Sequence, residues 1–439
     1  MFMKTLKLRW IFLGCSLVSL NFCPVHAVTA EDPTPGSAAA TNTLTVDAVV
    51  EEVVRQNLEL DFYRAEITAT KASRRTAAQW NNPEVSADLG SKRVWERGGG
   101  TLGDGAAWSV SVAQTFEYPG RIALRKAIAN RQVELAELGL AQFQASLAAR
   151  ARAQAQLALA AQEKLNATEE VLNRFRSLLE VLVQRDPAGV TPLLDQRIIE
   201  ANAVTLQRRA AQAARDLQGA LLELNQLRGA PAAAPLRLTG SSEVPTNAPV
   251  LADLLAVAAT NSFELRMRQA ELVQQGFQVQ LARNERYPRV TLAPFYASEK
   301  ANDEQRIVGL GVSLPLPLWN QNKGSIEAAR AREQQAEASL RATQRDIERR
   351  VTDHTLAFQA QLNEMAQWRP DSQARFREAA EMADRHFRLG AVPVTTYVEM
   401  QLKYLDALEA LLATRHEALE HRQQLEVLVG RRLESLNAR

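Results

Sequence analysis

Apolar and polar positions along this chain follow two different periods, and the two alternate twice. From Thr45 apolar residues recur at helical spacing, with Thr45 as a plausible N-cap and Asp47 in the first turn. That pattern runs to about Trp80 and stops before Asn82-Pro83. Strict alternation follows in Val85-Ser86-Ala87-Asp88-Leu89, which predicts a strand. Lys92 to Ala107 is mostly polar with Gly98-Gly99-Gly100 at its tip, and predicts a loop. Alternation resumes at Trp108-Ser109-Val110-Ser111-Val112, runs to about Phe116, and breaks at Tyr118-Pro119-Gly120. Arg121 to Arg185 then has no proline and one glycine, Gly139, in a run of Ala, Leu, Gln, Arg and Glu. This predicts a helix of roughly 100 Å at 1.5 Å per residue. Asp186-Pro187-Ala188-Gly189 turns the chain, and a second helix returns over about Pro192 to Arg228.

The same order then recurs. A Pro-rich linker spans 230–249. A helix over about Val250 to Arg286 precedes Pro288 and a strand, Val290 to Ser298. Glu299 to Arg306 is a polar loop, and Val308 to Leu316 alternates without error. A long helical stretch runs to Arg388 with an interruption near Pro370. Gly390 to Pro393 turns, and a last helix reaches about Val429. Glu59-Leu60, Pro83 and Val85 map onto Glu264-Leu265, Pro288 and Val290 by adding 205. Gly189 and Gly229 are 40 residues apart, as are Gly390 and Gly430. A period of this length exceeds solenoid repeats and reads as a duplicated half-protein. The domains expected are 44–229 and 250–430, with a tail over 431–439.

The strands have the form of membrane strands. In the fourth, Val308, Leu310, Val312, Leu314 and Leu316 form one face, while Gly309, Gly311, Ser313 and Pro315 form the other, small and water-tolerant. Nine to eleven residues suit a tilted strand crossing a bilayer. Trp108, Phe116, Tyr287, Tyr296 and Trp319 fall near strand ends, as interfacial girdles do. A bilayer tolerates no unpaired edge, so four strands must close with copies of themselves.

Residues 1–27 fit a secretory signal: Lys4, Lys7 and Arg9, then apolar Trp10 to Leu20, then Val25-His26-Ala27. Cleavage before Cys15 with lipidation fits less well, because Phe12 suits that signal poorly. Residues 28–43 read as a flexible leader. Both cysteines, Cys15 and Cys23, lie in the signal, so the mature chain can form neither disulfides nor thiolate sites. The chain has 52 basic and 50 acidic residues, three of the basic ones in the signal. Such balance gives no footprint for nucleic acid. No apolar run is long enough for a spanning helix.

With this plan in place, three local runs carry a resemblance. They are Phe116-Glu117-Tyr118-Pro119-Gly120-Arg121, Ser313 to Asn320 (SLPLPLWN), and Gly390 to Glu399 (GAVPVTTYVE). The chain resembles the TolC-type outer-membrane efflux proteins, and these runs resemble the heavy-metal (cobalt–zinc–cadmium) branch. The resemblance implies a mainly α fold with a membrane β-barrel. Long antiparallel helical hairpins form an α-barrel, and four strands per chain complete a twelve-stranded barrel in a homotrimer. It implies an outer-membrane duct reaching into the periplasm. The implied partners are a periplasmic adaptor (membrane fusion protein) and an inner-membrane resistance-nodulation-division pump. The implied cargo is divalent heavy-metal cations, with multidrug or small-molecule efflux as the alternative. Mapped onto this chain, Arg185, Asp186, Gly189, Arg388, Gly390 and Glu399 are the candidate tip and gate residues. The sequence departs from the commoner tips at Asp186-Pro187 and at Pro393.

No enzyme signature, metal centre or cofactor site emerges. His416 and His421 are five apart and share a helix face poorly, so a solvated face outweighs a metal site there. Glu51-Glu52 and Glu169-Glu170 read as solvated pairs. A charge pair at Arg185-Asp186 reads either as a pore latch or as an exposed turn contributing ~0–1 kcal/mol. A periplasmic coiled-coil adaptor would carry a compact β-rich domain beside its hairpin, and none is visible.

Overall fold

The computed structural model describes residues 43–433 apart from 186–189, 241–243, 246 and 370, and describes no side chains over 181–192. The expected signal, the leader up to residue 42, the turn at Asp186 to Gly189 and the end of the tail lie outside the described residues.

After a short strand β1 (Thr43–Thr45) come two helices, α1 (Val46–Gln56) and α2 (Glu59–Ala77), where the sequence predicts one. The break has a local cause. The Asn57 side chain accepts from the Glu59 N–H at 2.9 Å and donates to the Leu227 carbonyl at 2.7 Å. Asn competes with helical hydrogen bonding in this way at caps and corners. The second half breaks at the matching place: α5 (Leu251–Asn261) and α6 (Phe263–Asn284) meet at extended, buried Ser262.

The remaining elements are β2 (Glu84–Trp95), β3 (Thr101–Phe116), α3 (Arg121–Arg185), α4 (Val190–Leu227) and β4 (Arg237–Thr239) in the first half and linker. The second half adds β5 (Val290–Lys300), β6 (Glu304–Ser313), α7 (Lys323–Gln367), α8 (Ser372–Arg388) and α9 (Val394–Val429). Helix α3 has the length expected, 65 residues. It packs against α2, α4, α6 and α9, while α7 packs against α6 and α9.

Three expectations about strands need correction. The polar loop predicted over Lys92 to Ala107 is mostly strand. The β2–β3 ladder continues through Lys92↔Gly105 and Val94↔Gly103, and Arg93 pairs with Asp104 across it at 3.0 Å. Cross-strand charge pairs hold a ladder together after its apolar alternation ends. The loop over Glu299 to Arg306 likewise shrinks to Ala301–Asp303, because Lys300↔Glu304 closes the ladder. At the other end β6 stops at Ser313 instead of Leu316. Pro315 and Pro317 supply no N–H, and Ser313 already faces Thr291 near the start of β5.

The linker also holds structure that three residues of pattern do not reveal: β4 pairs parallel with β1. Leu44, Leu236 and Leu238 then join Val49, Val53, Leu147, Ala151 and Leu224 in one core cluster. A second cluster unites α3, α4, α8 and α9 around Phe175, Leu206 and Tyr397. A third unites α5, α7 and α9 around Leu254, Val351 and Leu425.

The glycine spacing in the sequence has a conformational basis. Gly229 (φ +68°) ends α4 and Gly430 (φ +70°) ends α9 in the left-handed region. A Cβ at Gly430 would lie 2.7 Å from the Asn261 carbonyl oxygen, and one at Gly229 3.1 Å from that of Gln56. Each half therefore seats the end of its short first helix against the turn closing its last.

Candidate functional site

The four strands form one antiparallel sheet in the order β2-β3-β5-β6. Its register fixes which residues share a face, since successive side chains alternate. Val85↔Val112, Ala87↔Val110 and Leu89↔Trp108 align across β2–β3. Val110↔Tyr296 and Trp108↔Ser298 continue the row onto β5, and Tyr296↔Val308, Pro294↔Leu310 and Leu292↔Val312 carry it to β6. The result is one continuous apolar band across all four strands. Val85, Leu89, Val308, Leu310 and Val312 are 61–88 % exposed in the single chain. Leu314 and Leu316 are exposed too, but lie beyond the end of β6.

The opposite face carries Ser86, Asp88, Ser109, Ser111, Gly309 and Gly311. There Ser86 and Ser111 hydroxyls are 2.8 Å apart, and Ser109 donates to Asp88 at 2.9 Å. Charge elsewhere on the sheet lies past the apolar band: Lys92–Glu299 at 2.7 Å, Arg93–Asp104 and Arg306–Glu304 at 3.1 Å. Phe116 and Trp108, eight residues apart on the apolar face, are about 27 Å apart along β3, or about 21 Å of height at a 40° tilt. Trp108 lies against Tyr296 (centroids 5.4 Å), and Phe116 against Trp80 (6.0 Å). Trp319 is 94 % exposed. Among the described residues the outer edges of β2 and β6 are unpaired.

Where sheet meets helices, the run Phe116 to Arg121 builds a collar. Gly120 (φ +88°) turns the chain into α3. Arg121 is 3 % exposed and donates to Asn284 Oδ1 (3.0 Å), the Asn284 carbonyl (3.0 Å) and the Tyr287 carbonyl (2.9 Å). Burial first, and then the Arg289 charge, lowers its pKa from the ordinary guanidinium range. Asn284 Nδ2 returns a bond to the Pro119 carbonyl at 3.0 Å. Tyr118 stacks on Tyr287 at 4.2 Å, and Arg125 pairs with nearly buried Glu117 at 2.8 Å. On the other hairpin Asn322, in the left-handed region, donates to the Ala282 carbonyl at 2.8 Å. In the sequence this run carries the family resemblance, while its pattern gives Arg121 no role of its own. A lone arginine after Pro-Gly at a helix start, where cations are disfavoured by the dipole, was the available signal.

At the other end of the helices, Gly390 (φ +73°) caps α8, and Glu399 is an exposed residue of α9. Arg388 is committed within its own chain, to Asp384 at 2.9 Å and the Ser177 hydroxyl at 3.3 Å. Asp186, Gly189 and the Arg185 side chain lie outside the described residues. Beneath Arg388 sits a group the sequence reading missed. Tyr397 is fully buried between Phe175 (5.4 Å) and Phe387 (5.0 Å, stacked). Burial, and then the Asp384 carboxylate, pushes its phenol well above the usual range. Buried Gln401 donates to the Ala380 carbonyl at 2.7 Å, and Arg174 joins Glu170 at 2.6 Å.

No described helix is long and apolar enough to cross a membrane. Among the described residues no group of three or more His, Cys, Asp or Glu is placed to hold a metal ion. A sheet with one apolar face is thus extended by long helices of largely polar surface. Residues 254–431 match the outer membrane efflux protein family. The chain is 24 % identical over 324 residues to the cobalt-zinc-cadmium resistance protein CzcC of Cupriavidus metallidurans, covering 72 % of this chain and 73 % of that one. The fold is similar to a crystal structure of CusC (TM-score 0.70, 13 % identity, 91 % and 96 % of the two chains). It is also similar to the CmeC outer membrane channel of Campylobacter jejuni (TM-score 0.69, 14 % identity, 94 % of each). The chain is thus similar to outer membrane efflux proteins over residues 254–431 and shares the fold of the two channels.

Proposed function

We propose that three copies of this chain close a twelve-stranded β-barrel in the outer membrane, continued by an α-barrel of their paired helices. The observation carrying this reading is the four-stranded sheet with one unbroken apolar face and two unpaired edges. A bilayer excludes open edges, and four strands are too few to close alone. In this reading the first repeat is 44–229 and the second 250–430, and Val308, Leu310 and Val312 face lipid.

The duct is passive. It meets a periplasmic adaptor at the tips and is fed by an inner-membrane pump of the resistance-nodulation-division type. The cargo is divalent heavy-metal cations, for which the name of the CzcC relative is the support. A multidrug or other small-molecule duct is the second reading, since the fold is shared with outer membrane channels whose names specify no metal. Deleting the gene should sensitise cells to cobalt, zinc or cadmium and leave antibiotic sensitivity unchanged. Outer-membrane fractions of the parent should hold a heat-modifiable trimer. Sensitisation to antibiotics alone would favour the second reading, and a monomer in the periplasm would defeat both.

The gate reading places Arg185, Asp186, Gly189, Arg388, Gly390 and Glu399 around one axis at the closed end. In a partly desolvated constriction opposite charges attract more strongly than on an open surface. Asp186→Ala combined with Arg388→Ala should raise single-channel conductance in planar bilayers. Because Arg388 is held by Asp384, Asp384→Ala should act in the same direction. Unchanged conductance with normal trimer levels would return these side chains to the role of exposed turn charges.

A further inference from the structure

Helices α7 and α9 bring together two histidines 67 positions apart in sequence. His354 Nδ1 and His421 Nδ1 are 3.2 Å apart, with ring centroids 5.4 Å apart and planes inclined at 50°. Both rings are half-buried. The sequence reading paired His421 with His416 on its own helix. The fold separates them, because His416 lines a cleft with Lys164, Glu409 and Leu412 on the α3 and α4 side.

We propose that His354 and His421 form a two-imidazole chelate for a borderline divalent cation of the zinc type. A tetrahedral ion with Zn–N bonds of 2.0–2.1 Å requires its nitrogens about 3.3 Å apart, and an octahedral one about 2.9 Å for neighbours. The observed separation falls between the two. With both rings protonated at Nε2, two Nδ1 lone pairs would face each other across 3.2 Å, a juxtaposition that a shared cation relieves without either ring changing tautomer. The alternative is a plain hydrogen bond, in which one ring carries its proton on Nδ1. The neighbouring charges are Asp353, Glu420 and Arg350, so each helix brings a carboxylate near the pair, that of Asp353 also meeting Arg349 at 2.8 Å.

No third side chain completes a cluster among the described residues, so water fills the remaining positions. The site is therefore open and exchangeable, unlike a closed four-ligand structural centre. Its effect is to staple α7 to α9 along the third core cluster, about two turns along α7 and one along α9 from the Gln361 to Glu417 hydrogen bond at 2.6 Å. The inference is independent of which compound the duct carries, since it concerns a bound ion and not a transported one.

The test is zinc titration of the purified, metal-stripped full chain in detergent, by calorimetry in a non-chelating buffer. One zinc per chain is expected, together with a zinc-dependent rise in unfolding temperature. His354→Ala and His421→Gln should each weaken binding by more than the about 10–100-fold that loss of an outer-shell partner costs. His386→Ala, on an exposed ring of α8, should change neither readout. Circular dichroism of the variants separates lost ligation from lost folding, and the glutamine variant preserves ring-sized volume. Absence of zinc binding by the parent chain, or binding that survives in the double variant, would overturn the proposal and leave the pair as a hydrogen bond.

Discussion

An arginine at Leu310 should leave almost no assembled protein in the outer membrane, whereas one at Ser86 should leave most of it. Leu310 lies mid-strand on the apolar face, 61 % exposed and opposite Pro294. Ser86 lies on the other face and loses only its bond to Ser111. A cationic side chain at the midplane of a barrel's lipid face costs ~2–4 kcal/mol. In the proposed trimer three copies would repeat it, for about 6–12 kcal/mol, which equals much of the net stability of an ordinary domain. The heat-modifiable trimer band in outer-membrane fractions measures the outcome. Equal yields for the two substitutions would show that this face does not meet lipid. Gly311→Ser is a poorer control than the small side chain suggests, because a Cβ there would lie 3.3 Å from the Ala293 carbonyl oxygen.

Long-range periodicity was legible in the sequence because it is a local property repeated many times. The 65 residues of α3 contain no proline, and their helical character needs no tertiary partner to be recognised. The apolar face of β6 was equally legible, because alternation from Val308 to Val312 marks a side without knowing what covers it. Features set by a single distant contact were not legible. The corner at Asn57 depends on the Leu227 carbonyl, 170 residues away. The strand in the linker depends on pairing with Thr43 to Thr45. The outer parts of β2 and β3 lose alternation and are held by Arg93–Asp104 and the ladder itself, so their polarity reads as loop. At the tips, composition gave charges but not partners. Arg388 turned out to serve Asp384 and Ser177, and the buried Tyr397 beneath it was visible in sequence only as one aromatic in a polar turn.

Arg121 is the clearest case of a residue whose importance is geometric, and its loss should be the most destabilising single change outside the membrane face. Its guanidinium fork reaches across from the start of α3 to the end of α6, so one side chain joins the two halves where both leave the sheet. Arg121→Ala removes three charge-assisted bonds and strands Asn284 Oδ1 and the Tyr287 carbonyl in a site that Arg121 itself fills, while the Asn284 carbonyl keeps its bond from the Tyr287 N–H. Bonds to charged groups contribute ~1.5–3 kcal/mol each, but water entering the vacated space recovers part, so a net loss of about 3–5 kcal/mol is expected. Arg121→Lys should recover less than half of it, because a single ammonium cannot reproduce the planar fork that meets a side-chain amide and two carbonyls together. Arg349→Ala removes the same side chain from an exposed helix face, where it pairs with Asp346 and Asp353, and should change stability little. Denaturant unfolding of the detergent-extracted chain, with proteolysis at Tyr118 to Arg121 as a local readout, compares the three. Matching midpoints for Arg121→Ala and Arg349→Ala would mean that the collar is held by the Tyr118–Tyr287 stack and the Glu117–Arg125 pair without its arginine.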